Sequence, residues 1–136
     1  MPHQRQRVLT GTTWEERNGY ARAVRIGPFV YVSGTIAADE SGNIHAPEST
    51  FLQTVYALEK IERALEKLGA TKRDVVRTRI FVKHIRNQDD AGRAHLEFFG
   101  DLMPCCTMLE VSALASPMAL VEVEVDAVIA AELPGG

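Results

Sequence analysis

Residues 120–129, Leu-Val-Glu-Val-Glu-Val-Asp-Ala-Val-Ile, restrict the fold more than any other stretch of this chain. Strand side chains alternate between two faces, so Val121, Val123, Val125, Ala127 and Ile129 share one face while Glu122, Glu124 and Asp126 share the other. A helix would scatter those five apolar residues around its axis, and the density of β-branched side chains also favours the pleated state. The stretch therefore reads as a strand, with helices packed on its valine face. Three carboxylates in alternate positions repel one another unless they are solvated or paired. The acidic face is accordingly where function is to be sought.

The remaining elements follow from periodicity and punctuation. Residues 20–26 and 29–33 flank Gly27-Pro28 and predict a β-hairpin. Gly34 and Thr35 come directly after it, and a glycine there either lets another group approach the backbone or marks a bulge. Residues 37–48 are turn-rich and read as a loop. A helix is predicted over 49–68, where Leu58, Ile61, Leu65 and Leu68 recur at three- and four-residue steps and Phe51, Val55 and Tyr56 extend the stripe. Gly69 ends it, and Lys60, Glu62, Arg63, Glu66 and Lys67 are assigned to its solvated outer face. A strand follows at 75–83, on which Arg77 and Arg79 share a face and could form a charge ladder with Glu122, Glu124 and Asp126. A second helix is predicted over 87–99 and a strand over 105–111, with 112–119 as a connection and an optional edge strand at 7–9. The order β-β-α-β-α-β-β places two helices on one face of one sheet, an α+β two-layer domain spanning 1–136. Its uncovered charged face would most naturally meet copies of itself in a closed oligomer.

Composition excludes several function classes. At 136 residues the chain can bury roughly two-thirds of its unfolded surface without disulfide or metal staples. The net charge of −3 argues against a broad nucleic-acid surface. Its apolar runs are too short to span a membrane and the first residues lack the apolar core of a signal peptide, so a cytoplasmic location is expected. Cys105 and Cys106, the only cysteines, cannot form an ordinary bridge with each other, which fits a reducing compartment. On a strand they take opposite faces, one expected in the core and the other free to face a cleft, and both read first as small packed hydrophobes. His3, His45, His84 and His95 are dispersed, so no metal site is expected. Neither a phosphate-binding glycine loop nor a nucleophile-elbow serine is present. The carboxylates remain: a glutamate buried between chains, near a tyrosine hydroxyl and a backbone amide, can activate a water as general base.

Six patches then occur in order: Gly19-Tyr20-Ala21-Arg22-Ala23-Val24, Val30 to Thr35, Gly69-Ala70-Thr71 with Asp74 to Thr78, Glu97 to Asp101, Glu110-Val111, and Leu120 to Glu124. Together they resemble the RidA/YjgF family, also labelled the L-PSP endoribonuclease family, over about residues 19–130. The resemblance implies a chorismate-mutase-like α+β fold with a mixed sheet and two helices on one face. It also implies a homotrimer with sheets lining its centre and a cleft between each pair of subunits. Active members hydrolyse enamines and imines to a carbonyl compound and ammonia with no cofactor. Carried over residue by residue, the catalytic acid maps onto Glu122, the backbone site onto Ser33, Gly34 and Thr35, and the pocket tyrosine onto Tyr20.

One position departs from the pattern. The carboxylate-binding arginine of deaminating members follows a Pro-Ala pair, whereas here Pro104-Cys105 is followed by Cys106. Two charge-assisted hydrogen bonds at about 1.5–3 kcal/mol each are lost with it. Arg22, Arg25, Arg93 and His95 are the candidates to supply charge from another direction. Two readings follow. In the first, the intersubunit cleft binds a small carbonyl or imine metabolite against Tyr20, Ser33, Gly34, Thr35, Cys105 and Cys106, and Glu122 activates water. In the second, the trimer binds or senses a small ligand without turnover. Nucleic acid is the least supported partner, and no membrane partner is expected.

Overall fold

The computed structural model describes residues 4–135, so His3 lies outside the described residues. Its elements run β1 (Arg5–Val8), α1 (Thr13–Asn18), β2 (Ala23–Ile26), β3 (Phe29–Thr35), α2 (Thr50–Lys67), β4 (Val75–Val82), α3 (Gln88–Phe99), β5 (Cys105–Glu110) and β6 (Val121–Val128). One six-stranded mixed sheet has the order β1-β2-β3-β6-β4-β5. Every pairing is antiparallel except β4 with β5.

β6 behaves as its alternation requires. Val121, Val123, Val125, Ala127 and Ile129 are buried, whereas Glu122, Glu124 and Asp126 are only half-buried on the opposite face. The buried side is closed by α2, whose Leu58, Ile61 and Leu65 are fully buried between Ala57 and Ala64. Each such side chain stabilises the fold by about 1.5–3 kcal/mol on burial. α2 starts where Ser49 accepts the amide of Leu52 at 3.0 Å, and it stops before Gly69, whose φ of +81° favours glycine. α3 packs beside it with Ala91, Ala94 and Phe99 buried. The two-layer α+β fold with both long helices on one face therefore stands as predicted, while β1 spans Arg5–Val8 and α1 is an element the sequence reading did not contain.

Two details position the functional face. Between β3 and β6 the register passes from Val32↔Val125 to Thr35↔Val123, so Ser33 and Gly34 together oppose Glu124. This bulge turns Thr35 to the helix side, where it is buried. The expected charge ladder forms in part. Arg77 registers with Asp126, and Arg79 Nη1 lies 3.4 Å from Glu124 Oε1 and 3.3 Å from Asp126 Oδ2. Glu122, however, registers with Phe81, which cannot pair a charge.

Three expectations need correction. Cys105 and Cys106 are both exposed, on β5, the edge strand of the sheet. Lys60 does not belong to the solvated face of α2. It sits one turn from Ala57 and Ala64, and its ammonium donates to Ile36 O at 3.1 Å and Ala38 O at 2.9 Å. The second strand of the predicted hairpin runs on through Thr35, whereas its first begins only at Ala23.

Candidate functional site

Glu122 stands out among the carboxylates of the open face. It has no cross-strand arginine, and burial raises its pKa above the usual carboxylate value, opposed by the charge of Arg22 and reinforced by Glu124. Its carboxylate lies directly against the α-carbon of Gly34. A β-carbon at that position would stand 3.0 Å from Cδ of Glu122 and closer still to Oε2. The glycine thus both marks a bulge and admits a neighbour, the two alternatives its position had suggested.

The bulge is held by its own polar atoms. Ser33 N donates to Arg22 O at 2.9 Å and Ser33 Oγ to Ala21 O at 2.8 Å, so this hydroxyl is engaged with backbone. Thr35 Oγ1 donates to Ser33 O at 2.7 Å and accepts Arg22 Nη1 at 3.4 Å. Tyr20 lies on the other side of the arginine, with its ring centroid 5.7 Å from Arg22 Cζ. Tyr20 and Ser33 line a groove of about 610 Å³ together with Arg5, Arg7, Val24 and Glu15.

Arg22 is the residue that joins these parts. Among the four candidates for a replacement cation, Arg25 is engaged with Leu68 O and Glu132, and Arg93 with Asp90, Glu97 and the ring of Phe51. His95 Nε2 pairs with Thr78 Oγ1 at 2.9 Å, and burial lowers its pKa. Only Arg22 reaches the Gly34–Thr35 end of β3. Its neighbour Glu15 was not read from the sequence at all. Burial raises the pKa of Glu15, but the hydrogen bonds from Thr10 Oγ1 at 2.5 Å and Thr10 N at 2.9 Å, with the charge of Arg22, bring it below the ordinary value. The spacing Thr12-x-x-Glu15 was the available signal, since a threonine three residues ahead of a glutamate marks a helix start.

Within one protomer the expected site residues fall into two groups. Gly34 and Glu122 meet at the β3–β6 end, with Ser33 beside them and Tyr20 linked through Arg22, while the side chain of Thr35 is buried on the helix side. Cys105 and Cys106 lie on β5, three strand spacings from β3, or about 14 Å. Cys106 also registers with Thr78, whose own partner on β6 is Val125, and both are buried on the helix side. Glu122 occupies the opposite face. The two groups are therefore not in contact within one chain. Among the described residues, no cluster of three or more His, Cys, Asp or Glu side chains could hold a metal ion. No described helix is long and apolar enough to cross a membrane.

Known proteins place this geometry. The family model described as Endoribonuclease L-PSP matches residues 11–129. An uncharacterised Streptomyces coelicolor protein, SCO2049, is 37% identical over 122 residues, covering 90% of each chain. A RutC family protein of Pyrococcus abyssi is 32% identical over 106 residues, which is 77% of this chain and 82% of that protein. Among solved structures, Mycobacterium tuberculosis Rv2704, a member of the YjgF/YER057c/UK114 family, shares 43% identity with a TM-score of 0.84, over 92% of this chain and 99% of its own. The sequence match across most of the domain, on the same α+β fold, means that this chain belongs to the YjgF/Rid family, the family of the L-PSP endoribonuclease description.

Proposed function

We propose that the chain assembles as a homotrimer whose intersubunit clefts bind a small carbonyl or imine metabolite, and that Glu122 activates the water that hydrolyses it. The observation that carries this reading is the seat of Glu122: a half-buried carboxylate with raised pKa, held against Gly34 and without a cross-strand cation. A carboxylate whose pKa moves toward neutrality is a stronger base at the pH where it works. In the reaction, Glu122 takes a proton from water as the oxygen adds to the imine carbon. The proton passes to the nitrogen, and collapse of the resulting carbinolamine expels ammonia and leaves the carbonyl product. No cofactor is needed. The separation of the cysteines from Glu122 supports a two-chain cleft, in which β5 of one subunit faces the β3–β6 end of its neighbour.

The substrate differs from that of carboxylate-binding members. Cys106 occupies the position that the resemblance assigns to their arginine, and a thiol cannot fork onto a carboxylate. A less charged imine fits this cleft better, with Arg22 as the cation nearest Glu122 among the four candidates. The second reading, a ligand-binding trimer without turnover, is favoured by that same cysteine.

A coupled assay separates them. Imines generated in situ from a panel of amino acids by an amino-acid oxidase are followed with and without the protein, and ammonia is measured. Hydrolytic function predicts faster imine loss that Glu122→Ala abolishes. Decay of every imine at the buffer rate refutes turnover, and saturable binding of ketones or small acids then assigns the binding role. Sedimentation tests the trimer independently.

A further inference from the structure

A second cavity, of about 680 Å³, opens among α2, the loop following β3 and the segment joining β1 to α1. Arg22, Lys60, Arg63 and Lys67 line it, against the carboxylates of Asp39 and Glu40. Asp39 is already committed, because its Oδ1 accepts the amides of Ser41 and Asn43, each at 2.9 Å. The cations are less well served. The side chain of Arg22 is 11% exposed, and Glu15 Oε2 stands 3.9 Å from its Nε, too far for a hydrogen bond. That buried Nε–H has no hydrogen-bond partner among the described residues. Buried polar groups in folded proteins are normally paired, so such an orphan calls for an acceptor.

Lys60 points the same way. Two of its three donors are used on Ile36 O and Ala38 O. Burial, then the charges of Arg22 and Arg63, lower its pKa to about 8 against the opposing pull of Glu15 and Asp39. Burial chiefly, and the two arginines after it, make the ammonium costly to hold without an anion beside it. Thr12 adds a hydroxyl to the lining.

We propose that this cavity is a binding site for a small dianion, a phosphate monoester or a dicarboxylate, held by the Arg22 guanidinium, the Lys60 ammonium and Arg63. The site overlaps the Glu122 cleft only at Arg22 and does not depend on Glu122 being hydrolytic. Arg22 is common to both, because it also donates to Thr35 Oγ1, so an anion arriving in the cavity is felt at the bulge that seats Glu122.

Titration of the full-length protein with inorganic phosphate and with succinate, at constant ionic strength, tests the site by calorimetry and by amide NMR shifts. Saturable binding is expected for at least one anion, with the amides of Ala38 and Thr12 among those that move. Arg63→Gln, an exposed position that leaves the fold intact, should weaken binding about tenfold. Arg86→Gln, on an exposed turn after β4, should leave it unchanged. Preference for phosphate assigns a phosphorylated ligand, and preference for succinate a dicarboxylate. The proposal is overturned if neither anion saturates by tens of millimolar, or if Arg63→Gln binds as tightly as the wild type. Equal weakening by Arg86→Gln, the mark of diffuse charge attraction, also overturns it.

Discussion

Gly34→Ala places a methyl group where Glu122 keeps its carboxylate. The backbone of Gly34 is not in the left-handed region, so alanine brings no conformational strain of its own and its whole effect is steric. The new carbon would lie 3.0 Å from Glu122 Cδ and 3.3 Å from Cγ. The carboxylate is the free end of a flexible side chain and must swing away. Leaving a rotamer minimum costs about 0.5–1.5 kcal/mol, which for a domain of this size lowers Tm by about 2–6 °C. The chemical effect should be far larger than the thermal one. Moving a catalytic group by an ångström costs on the order of a hundredfold in rate. The displaced carboxylate also leaves the burial that raises its pKa, so its titration should fall back toward the ordinary value. Carboxyl carbon-13 NMR across an acid titration reads the pKa, a melt reads Tm, and the coupled imine assay reads turnover. A variant whose Glu122 titrates as in the wild type, with turnover within twofold, would show that the seat against Gly34 does not govern this residue.

Three further outcomes follow from the same geometry. Burial raises the folded-state pKa of Glu122, so the folded protein holds this proton more tightly than the unfolded chain does and stability falls as pH rises through that window. Glu122→Gln should therefore be more stable than the wild type at pH 7 and gain nothing below the unfolded pKa, as denaturant melts at both pH values will read. Leu58→Ala empties a fully buried position under the sheet and should cost about 2–5 kcal/mol in urea, with an unchanged m-value. Lys60, with its pKa lowered to about 8, should titrate well below the other lysines when they are carbon-13 methylated and followed by NMR. A Lys60 signal near the usual lysine value would contradict the burial and the neighbouring positive charge.

Elements with a repeating pattern were legible and elements made by exception were not. The alternation of β6 and the stripe of α2 each repeat one physical demand several times, so a few residues fix them. α1 is six residues long and mostly polar, too short for a periodic signal, and only its threonine cap marks it. Lys60 breaks the usual link between charge and exposure, because its three- and four-residue neighbours Ala57 and Ala64 are small and buried. A long side chain there has room to lie along the helix and reach the backbone of the next loop. The choice at Gly34 between bulge and close approach could not be made from sequence, because it depends on which residue of β6 stands opposite. The cysteines illustrate a limit of another kind. Strand alternation gives the two faces, but whether either face is covered is decided by the strand's place in the sheet. The nearness of Gly34 to Glu122 was legible only through family resemblance, and the part of Arg22 only from the structure.

The order β1-β2-β3-β6-β4-β5 sets the timetable by which this protein can be made. β6 is the last of the six strands of this sheet in chain order, yet it is the one that joins the β1–β3 ribbon to the β4–β5 pair. Until it arrives, β3 and β4 each present an open hydrogen-bonding edge beside a row of valines and isoleucines, the kind of surface that recruits other chains. Synthesis at about 5–20 residues per second makes that exposure last for seconds. Nascent chains stalled before residue 121 should therefore be held by chaperones or aggregate, and release of the final strand should convert them in one cooperative step. The same arrangement makes β6 a natural complementing peptide: supplied separately, it has a single slot to fill, with hydrogen-bond partners waiting on both sides.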